Sequence, residues 1–304
     1  MCLDNRDKIA HMRSIMLIAH LSDPHLAPLP DPTLLQLANK RITGYINWRR
    51  NRSKKHSEDV LTPLLASLRT HQVDHIAVTG DLINLALPAE FNRAKAWLEL
   101  LGPPDRISLV PGNHDAYVPG AFHQACTHWG PYMAPDQQNK ASFPYVRQRD
   151  GVALIGLSSA VATWPFRATG KIGTAQLTAL DNTLAKLRQT DQKIVLLVHH
   201  PVHDRAAANY KRLTDAPALR ALIARHGVDL ILHGHTHINS ETTIPGPNGD
   251  VPCWGVSAAS NGLGGHRPPG SYTLFQIDHG KPIKAQRHHY IGAGTVEAGD
   301  WRTL

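Results

Sequence analysis

The stretch Ile107-Ser108-Leu109-Val110-Pro111-Gly112-Asn113-His114-Asp115 decides how the rest of the chain reads. A short apolar run is a buried strand, and this one ends on an amide, an imidazole and a carboxylate. Four other stretches share the construction. Ile15-Met16-Leu17-Ile18 leads to Asp23-Pro24-His25, and Ile76-Ala77-Val78 leads to Gly80-Asp81. Ile194-Val195-Leu196-Leu197-Val198 leads to His199-His200-Pro201, and Leu230-Ile231-Leu232 to Gly234-His235-Thr236-His237. One Asp-x-His triplet alone is usually a solvated surface pair. Five strands ending in oxygen and imidazole donors are a different matter, because chance rarely supplies the ordered set.

Between the strands the apolar spacing turns helical. Ser57–Gln72 carries Val60, Leu61, Leu64, Leu65 and Leu68 at that spacing, and Pro88–Leu101 starts on proline and is closed by Gly102. Gly120–Trp129, Thr174–Leu187 and Ala216–Arg225 read the same way, and Val152–Leu157 reads as a strand without donors. After His237 the pattern changes to strands at Ile238–Ile244, Val251–Val256, Tyr272–Ile277 and Ile283–Tyr290. These read as a meander, with a hairpin turn at Pro245-Gly246-Pro247-Asn248-Gly249. The expected fold class is α/β, with two sheets packed together and helices outside. No repeat or linker divides the chain, so residues 1–304 read as one domain with a flexible tail over 1–13.

Composition agrees with a chain that buries a large core. Of 304 residues 42% are hydrophobic and 18% charged, which excludes global disorder. Cys2, Cys126 and Cys253 have neither disulfide nor metal spacing, so a reducing cytoplasm is expected. No segment approaches the roughly 18–20 apolar residues of a membrane span. The run from Ile15 to Ala19 cannot be a removable signal peptide without destroying the site at Asp23.

The ordered motifs resemble the calcineurin-like metallophosphoesterase superfamily, and the resemblance runs from Ile15 to about Ile291. It implies a four-layer αββα sandwich of two mixed sheets flanked by helices. It also implies a dinuclear centre, with Asp23, His25 and His237 on one metal and Asn113, His199 and His235 on the other. Asp81 would bridge them. The family's His-x-Pro pattern selects His199 over its neighbour His200, which stays open as the alternative ligand. A donor set of imidazole, carboxylate and amide without thiolate suits Mn, Fe or Zn. Two metals about 3.5–4 Å apart clamp the attacking and leaving oxygens of an in-line displacement, and bound water becomes the attacking hydroxide near neutral pH. His114 would face the substrate and either hydrogen-bond the phosphoryl oxygen or protonate the departing alkoxide. Asp115 either orients a histidine or caps a turn. Gly80, Gly112 and Gly234 stand directly before donors, where the backbone must come close to the metals.

Subfamily features narrow the substrate. Protein Ser/Thr phosphatases of the superfamily carry an arginine soon after the bridging aspartate and a glutamate after Gly-Asn-His. Here Leu82-Ile83-Asn84-Leu85 and Asp115 occupy those places. The motif combination is similar to the bacterial cyclic-nucleotide and glycerophosphodiester branch, whose relatives include phospholipase C-type enzymes. The expected function is a metal-dependent phosphodiesterase. Glycerophospholipid headgroup diesters at the inner membrane surface come first and cyclic nucleotides second. Phosphomonoesterase, nuclease and non-catalytic scaffold rank below.

Two segments outside the motifs bear on partners. Net charge is +8, and much of it lies in Lys40-Arg41 and Arg49-Arg50-Asn51-Arg52-Ser53-Lys54-Lys55-His56, around Tyr45 and Trp48. This insertion, residues 38–56, reads as a solvated loop, an anionic-membrane contact or, ranked lower, a nucleic-acid track. The glycine-dense Ser257–Tyr272 is a flexible loop or a substrate flap, with His266 or Arg267 meeting phosphate. His200 and His266 join His114 as candidate substrate-binding residues. His56, His71, His75, His288 and His289 read as surface groups.

Overall fold

Both faces of Ile15–Leu21 (β1) are covered, which explains why its sequence alternates so little. The structure, a computed structural model, describes residues 15–52 and 56–304. The expected tail and the Lys54-Lys55 part of the basic cluster lie outside them. Leu34–Leu37 (α1) and Arg41–Asn47 (α2) follow β1, then Glu58–Thr70 (α3), His75–Val78 (β2), Pro88–Leu101 (α4), Ile107–Leu109 (β3) and Ala121–Trp129 (α5). The second half continues with Tyr145–Arg149 (β4), Val152–Gly156 (β5), Thr174–Leu187 (α6), Lys193–Leu197 (β6), Ala216–His226 (α7) and Leu230–His233 (β7). It ends on Ser240–Gly246 (β8), Gly249–Gly255 (β9), Ser271–Asp278 (β10), Lys284–Gly292 (β11), Thr295–Ala298 (β12) and Arg302–Thr303 (β13).

Two mixed sheets result. One runs β12-β11-β10-β1-β2-β3, with β13 paired to β11, and the other runs β4-β5-β6-β7-β9-β8. Strands β1, β2 and β3 are parallel, as are β5, β6, β7 and β9. Alternate residues of the second sheet go to different cores. Leu154, Val195, Leu197, Leu230 and Leu232 join Ile18, Val78 and Leu274 of the first sheet. Ala153, Ile155, Ile194, Leu196 and Ile231 pack instead with Leu180 and Leu184 of α6 and Leu219 and Ile223 of α7. Helix α3 covers the far side of the first sheet, against β10 to β12. This is the expected four-layer αββα sandwich.

Local chemistry explains the helix ends. The Ser57 hydroxyl accepts from the Asp59 N–H before α3. Glu90 accepts from the backbone of Asn84, Leu85 and Leu87, closing the turn into α4. Gly227, at φ 74°, ends α7 in the left-handed region that favours glycine.

The C-terminal strands depart from the expected meander. Strands β8 and β9 form the hairpin, but β9 lies parallel to β7. The next strand, β10, crosses to the other sheet and pairs antiparallel with β1 from Ile15 to His20. Nearly all of β10 is buried, so it needs cover on both faces, which β1's open edge and the layers around it supply. Over Arg41–Arg52 the basic insertion is helical rather than a loop, α2 continuing as a π-helical turn over Trp48–Arg52. Tyr45 and Trp48 pack half-buried against the core instead of projecting outward. Gly44 allows this approach, because a Cβ there would collide with the Tyr117 hydroxyl and Leu85. Arg41 also turns inward, donating to the carbonyls of Leu85 and Ala86.

Candidate metal centre

All five motifs lie just past the carboxyl ends of parallel strands β1, β2, β3, β6 and β7, where open α/β sheets place their ligands. Backbone bonds stitch the turns together. Asp23 N donates to Gly80 O at 2.9 Å and His25 N to Asp81 O at 3.1 Å. Across the two sheets, His235 N donates to the Asp23 carboxylate at 3.0 Å, and His199 Nδ1 donates to Thr79 O at 2.6 Å.

Five of the seven candidate ligands stand in the left-handed region. Their φ values are 53° at Asp23, 39° at His25, 54° at Asp81, 68° at His235 and 53° at His237. Non-glycine residues held there cost on the order of 1–3 kcal/mol each, less for aspartate, and persist only where surroundings over-determine them. Asp115 is one such determinant. Its carboxylate accepts from the N–H groups of Asp81, Leu82, Ile83 and Gly112. It therefore ties two donor turns together and orients no histidine. Burial and the nearby Asp81 charge push its carboxyl up to about 8, and the backbone donors oppose them.

The donors fall into two groups sharing Asp81. In one, His25 Nε2 is 3.2 Å from His237 Nε2, 3.9 Å from Asp23 Oδ1 and 3.8 Å from Asp81 Oδ2. In the other, His199 Nε2 is 3.4 Å from Asp81 Oδ2, 3.2 Å from Asn113 Oδ1 and 3.3 Å from His235 Nδ1. Imidazole nitrogens this close favour a cation between them. Asp23 Oδ1 is buried without a hydrogen-bond partner, although His237 Nε2 stands 3.2 Å away. An orphaned carboxylate oxygen is costly, and a divalent ion would satisfy it. The residues present therefore fit two metals.

Electrostatics agree. Burial raises the Asp81 carboxyl, and His199, His114 and His25 more than reverse this, leaving it well below the usual carboxylate range. Burial works against a charged His199 ring, yet Asp81 carries it up to about 9. Burial, with His200 and His199 nearby, holds His235 well below its ordinary value, keeping a lone pair available.

Beside Asn113 and His114 lies a cleft of about 460 Å³, walled by Trp48, Tyr117, Phe166 and Tyr210 and by Lys40 and Lys211. Two larger clefts, of about 650 and 630 Å³, reach none of the donors. The His114 Nδ1 donates to Asn84 O at 2.5 Å, and its ring stacks on Tyr117 at 5.4 Å.

A sequence profile describing calcineurin-like phosphoesterases matches residues 16–239. The chain belongs to that family. It is 29% identical over 185 residues to a probable cyclic nucleotide phosphodiesterase of Synechococcus, covering 59% of this chain and 65% of that one. It is 27% identical over 191 residues to the glycerophosphodiester phosphodiesterase GpdQ of Enterobacter lignolyticus, covering 61% and 57%. The matches thus span less than two thirds of either relative. In fold, the chain is similar to a dimetal phosphatase from Danio rerio, with a TM-score of 0.58 and 13% identity over 90% of this chain and 95% of that one.

Family membership does not place every candidate at the centre. His200 is buried behind it, with Nδ1 on Ser159 Oγ at 2.7 Å and Nε2 on Ala168 O at 3.1 Å. With both ring nitrogens engaged by protein groups, it braces a loop. His266 is exposed in its loop, whose Arg267 donates to the Thr236 carbonyl. His56, His75 and His288 are buried, not surface groups. His75 bonds Ser108 Oγ across strands at 2.8 Å, and His288 stacks on Tyr272 at 4.6 Å. His56 stands beside His25. Its hydrogen bond to Ser260 and its bridge to Asn261, both across more than two hundred residues, help hold it there, so no local signal marks it.

The glycines test the close approach. A Cβ on Gly112 would overlap the Asp81 carboxylate and backbone nitrogen, and one on Gly234 would overlap Ser22 and Asp23. Gly112→Ala is expected to cost about 1–3 kcal/mol in stability, as overpacking does, and to lower bound metal. Denaturant unfolding in chelator, with metal analysis after reconstitution, checks both.

Proposed function

We propose that the chain is a dinuclear metal-dependent phosphodiesterase acting on glycerophospholipid headgroup diesters at a lipid surface. Asp23, His25 and His237 would hold one ion, Asn113, His199 and His235 the other, and Asp81 both. Such a pair supplies Lewis acidity that neutralises the phosphoryl charge and activates water as a nucleophile at neutral pH. His114 aims its imidazole into the cleft, with Nδ1 fixed on Asn84 O, so Nε2 delivers the proton to the departing alkoxide. One P–O bond breaks, one forms from water, and an alcohol and a phosphomonoester leave.

The observation that carries the lipid reading is a set of exposed apolar side chains on and beside segments that line the cleft. Leu34 and Leu35 of α1 are 89% and 84% exposed, and Ile42 and Ile46 of α2 are also exposed. Lys40 Nζ ties α2 to Thr163 Oγ1 at 2.8 Å, bringing alongside the loop that carries Trp164 and Phe166, 81% and 84% exposed. Large exposed apolar side chains on two segments that also line the cleft, α2 and the loop of Trp164 and Phe166, suit an interaction surface. Arg49 and Arg50 are exposed on the turn that ends α2 and add positive charge. Clustered cations beside apolar side chains suit anionic headgroups. No helix of the described residues is long and apolar enough to cross a membrane, so the contact would be peripheral.

A second reading, cyclic-nucleotide hydrolysis, draws on the aromatic walls of the cleft, where the exposed Phe166 and Tyr210 offer rings on which a base can stack. Co-sedimentation with vesicles of anionic phospholipid separates the two. Binding is expected, and neutralising Arg49 and Arg50 together with Ile42→Ser and Ile46→Ser should abolish it without slowing turnover of a soluble aryl diester. If the unmodified protein ignores vesicles yet hydrolyses cyclic nucleotides, the second reading takes over.

A further inference from the structure

One buried imidazole beside the centre belongs to none of the five motifs. His56 lies at the end of the basic insertion, just before α3. Its ring centroid is 4.7 Å from that of His25 and 5.8 Å from that of His237. A ring nitrogen from each of these three histidines lies within 4.8 Å of the others, the spacing of donors around one cation.

The backbone delivers His56 to this place deliberately. It bridges Asn261, Ser57 N donates to Ser260 O at 3.0 Å, and Ala259 N donates to Ser22 O at 2.9 Å, beside Asp23. The strap that holds the first donor turn thus also holds His56. Ser260 Oγ is 2.7 Å from His56 Nδ1. With the Nδ1 proton donated to that hydroxyl, the neutral ring carries its lone pair on Nε2, as in a metal-ligating histidine oriented by an outer partner.

We infer that His56 is an additional ligand of the metal held by Asp23, His25 and His237; the inference rests on the metal assignment proposed above. A third imidazole makes that position nitrogen-rich, which favours Zn or Fe over Mg. It also joins the insertion and the glycine-dense loop to the centre, because Asn261 Nδ2 donates to Pro268 O at 2.6 Å within that loop.

The test reads metal binding directly. Chelator-stripped protein is titrated with Zn²⁺ against a chromophoric competitor, before and after His56→Ala. The unmodified protein should bind two ions, and the variant should bind one of them at least ~10-fold more weakly, in line with the loss seen when even an outer-shell partner is removed. Added imidazole should restore much of that affinity. Two unchanged affinities in a folded variant would overturn the inference, including the case where turnover alone falls, because His56 would then serve substrate. Fewer than two ions on the unmodified protein would remove the underlying assignment instead, and His56 as a ligand with it. If the variant does not fold, unmodified protein labelled with ¹⁵N-histidine and loaded with ¹¹³Cd decides. Coupling of the His56 ring nitrogen to cadmium supports the ligand role, and an uncoupled His56 rejects it.

Discussion

Asp81→Ala is expected to reduce phosphodiester turnover to that of chelator-stripped protein and to leave fewer than two ions bound. Asp81 lies within reach of both donor groups, 3.8 Å from His25 Nε2 and 3.4 Å from His199 Nε2. Under the proposed assignment its loss would take charge and a ligand from both positions, and Asp115 would not replace it, since its oxygens are occupied by backbone donors. Elemental analysis with a kinetic assay checks this, and a variant with two ions and normal turnover would refute the bridge. Folding should survive. The His114 N–H that donates to Asp81 Oδ1 at 2.7 Å loses its acceptor, at about 1–3 kcal/mol, while Asp115 loses a repelling neighbour.

The same pair gives a pH signature in the metal-free protein. Asp81 raises His199 from 6.5 to about 9, so their attraction stabilises the fold fully below about pH 6.5 and is lost as pH rises through 9. In chelator, the stability gap between the unmodified protein and Asp81→Ala should narrow over that window. A gap that widens with pH would show that the pair is not ionised as described.

Much of the centre was legible because its donors are local to strand ends. Apolar runs name the strands, strand ends name the site, and the seven expected donors converge there. What the sequence hid depends on distant contacts. Asp115 looks able to orient a neighbouring histidine, yet its carboxylate serves backbone groups more than thirty residues away. His200 shares a motif with His199, but adjacent residues past a strand point to opposite sides, and only one can face the metals. The basic insertion shows the same limit. Its charges suggested a solvated segment, whereas Gly44, Tyr45 and Trp48 bind α2 to the body and leave Ile42 and Ile46 outside. The meander failed because alternation reports which face is buried and not which sheet a strand joins. The left-handed backbone at five donors carries no compositional mark at all.

His114→Ala is expected to keep both ions and lose about 10²–10⁴ in kcat, the usual share of a general acid. The side chain is removable without dismantling the turn, because its backbone N–H to Asp81 survives in alanine. Metal retention is itself informative, since a nitrogen of His114 lies within 4.8 Å of donor atoms on His25 and Asp81. Loss of an ion would make His114 a ligand. With both ions present, leaving-group dependence separates proton delivery from simple phosphoryl binding. A proton donor matters little when an aryl oxide departs, because that oxygen leaves unaided, and matters greatly for an alkoxide such as glycerol. The deficit should therefore be larger for an alkyl diester than for an aryl one, and the alkaline limb of the alkyl pH profile should flatten. An equal deficit for both substrates would instead make His114 a group that holds the phosphoryl oxygen. The Asn84 carbonyl fits the first outcome better, since it accepts from Nδ1 and can stabilise the ring while Nε2 still carries its proton.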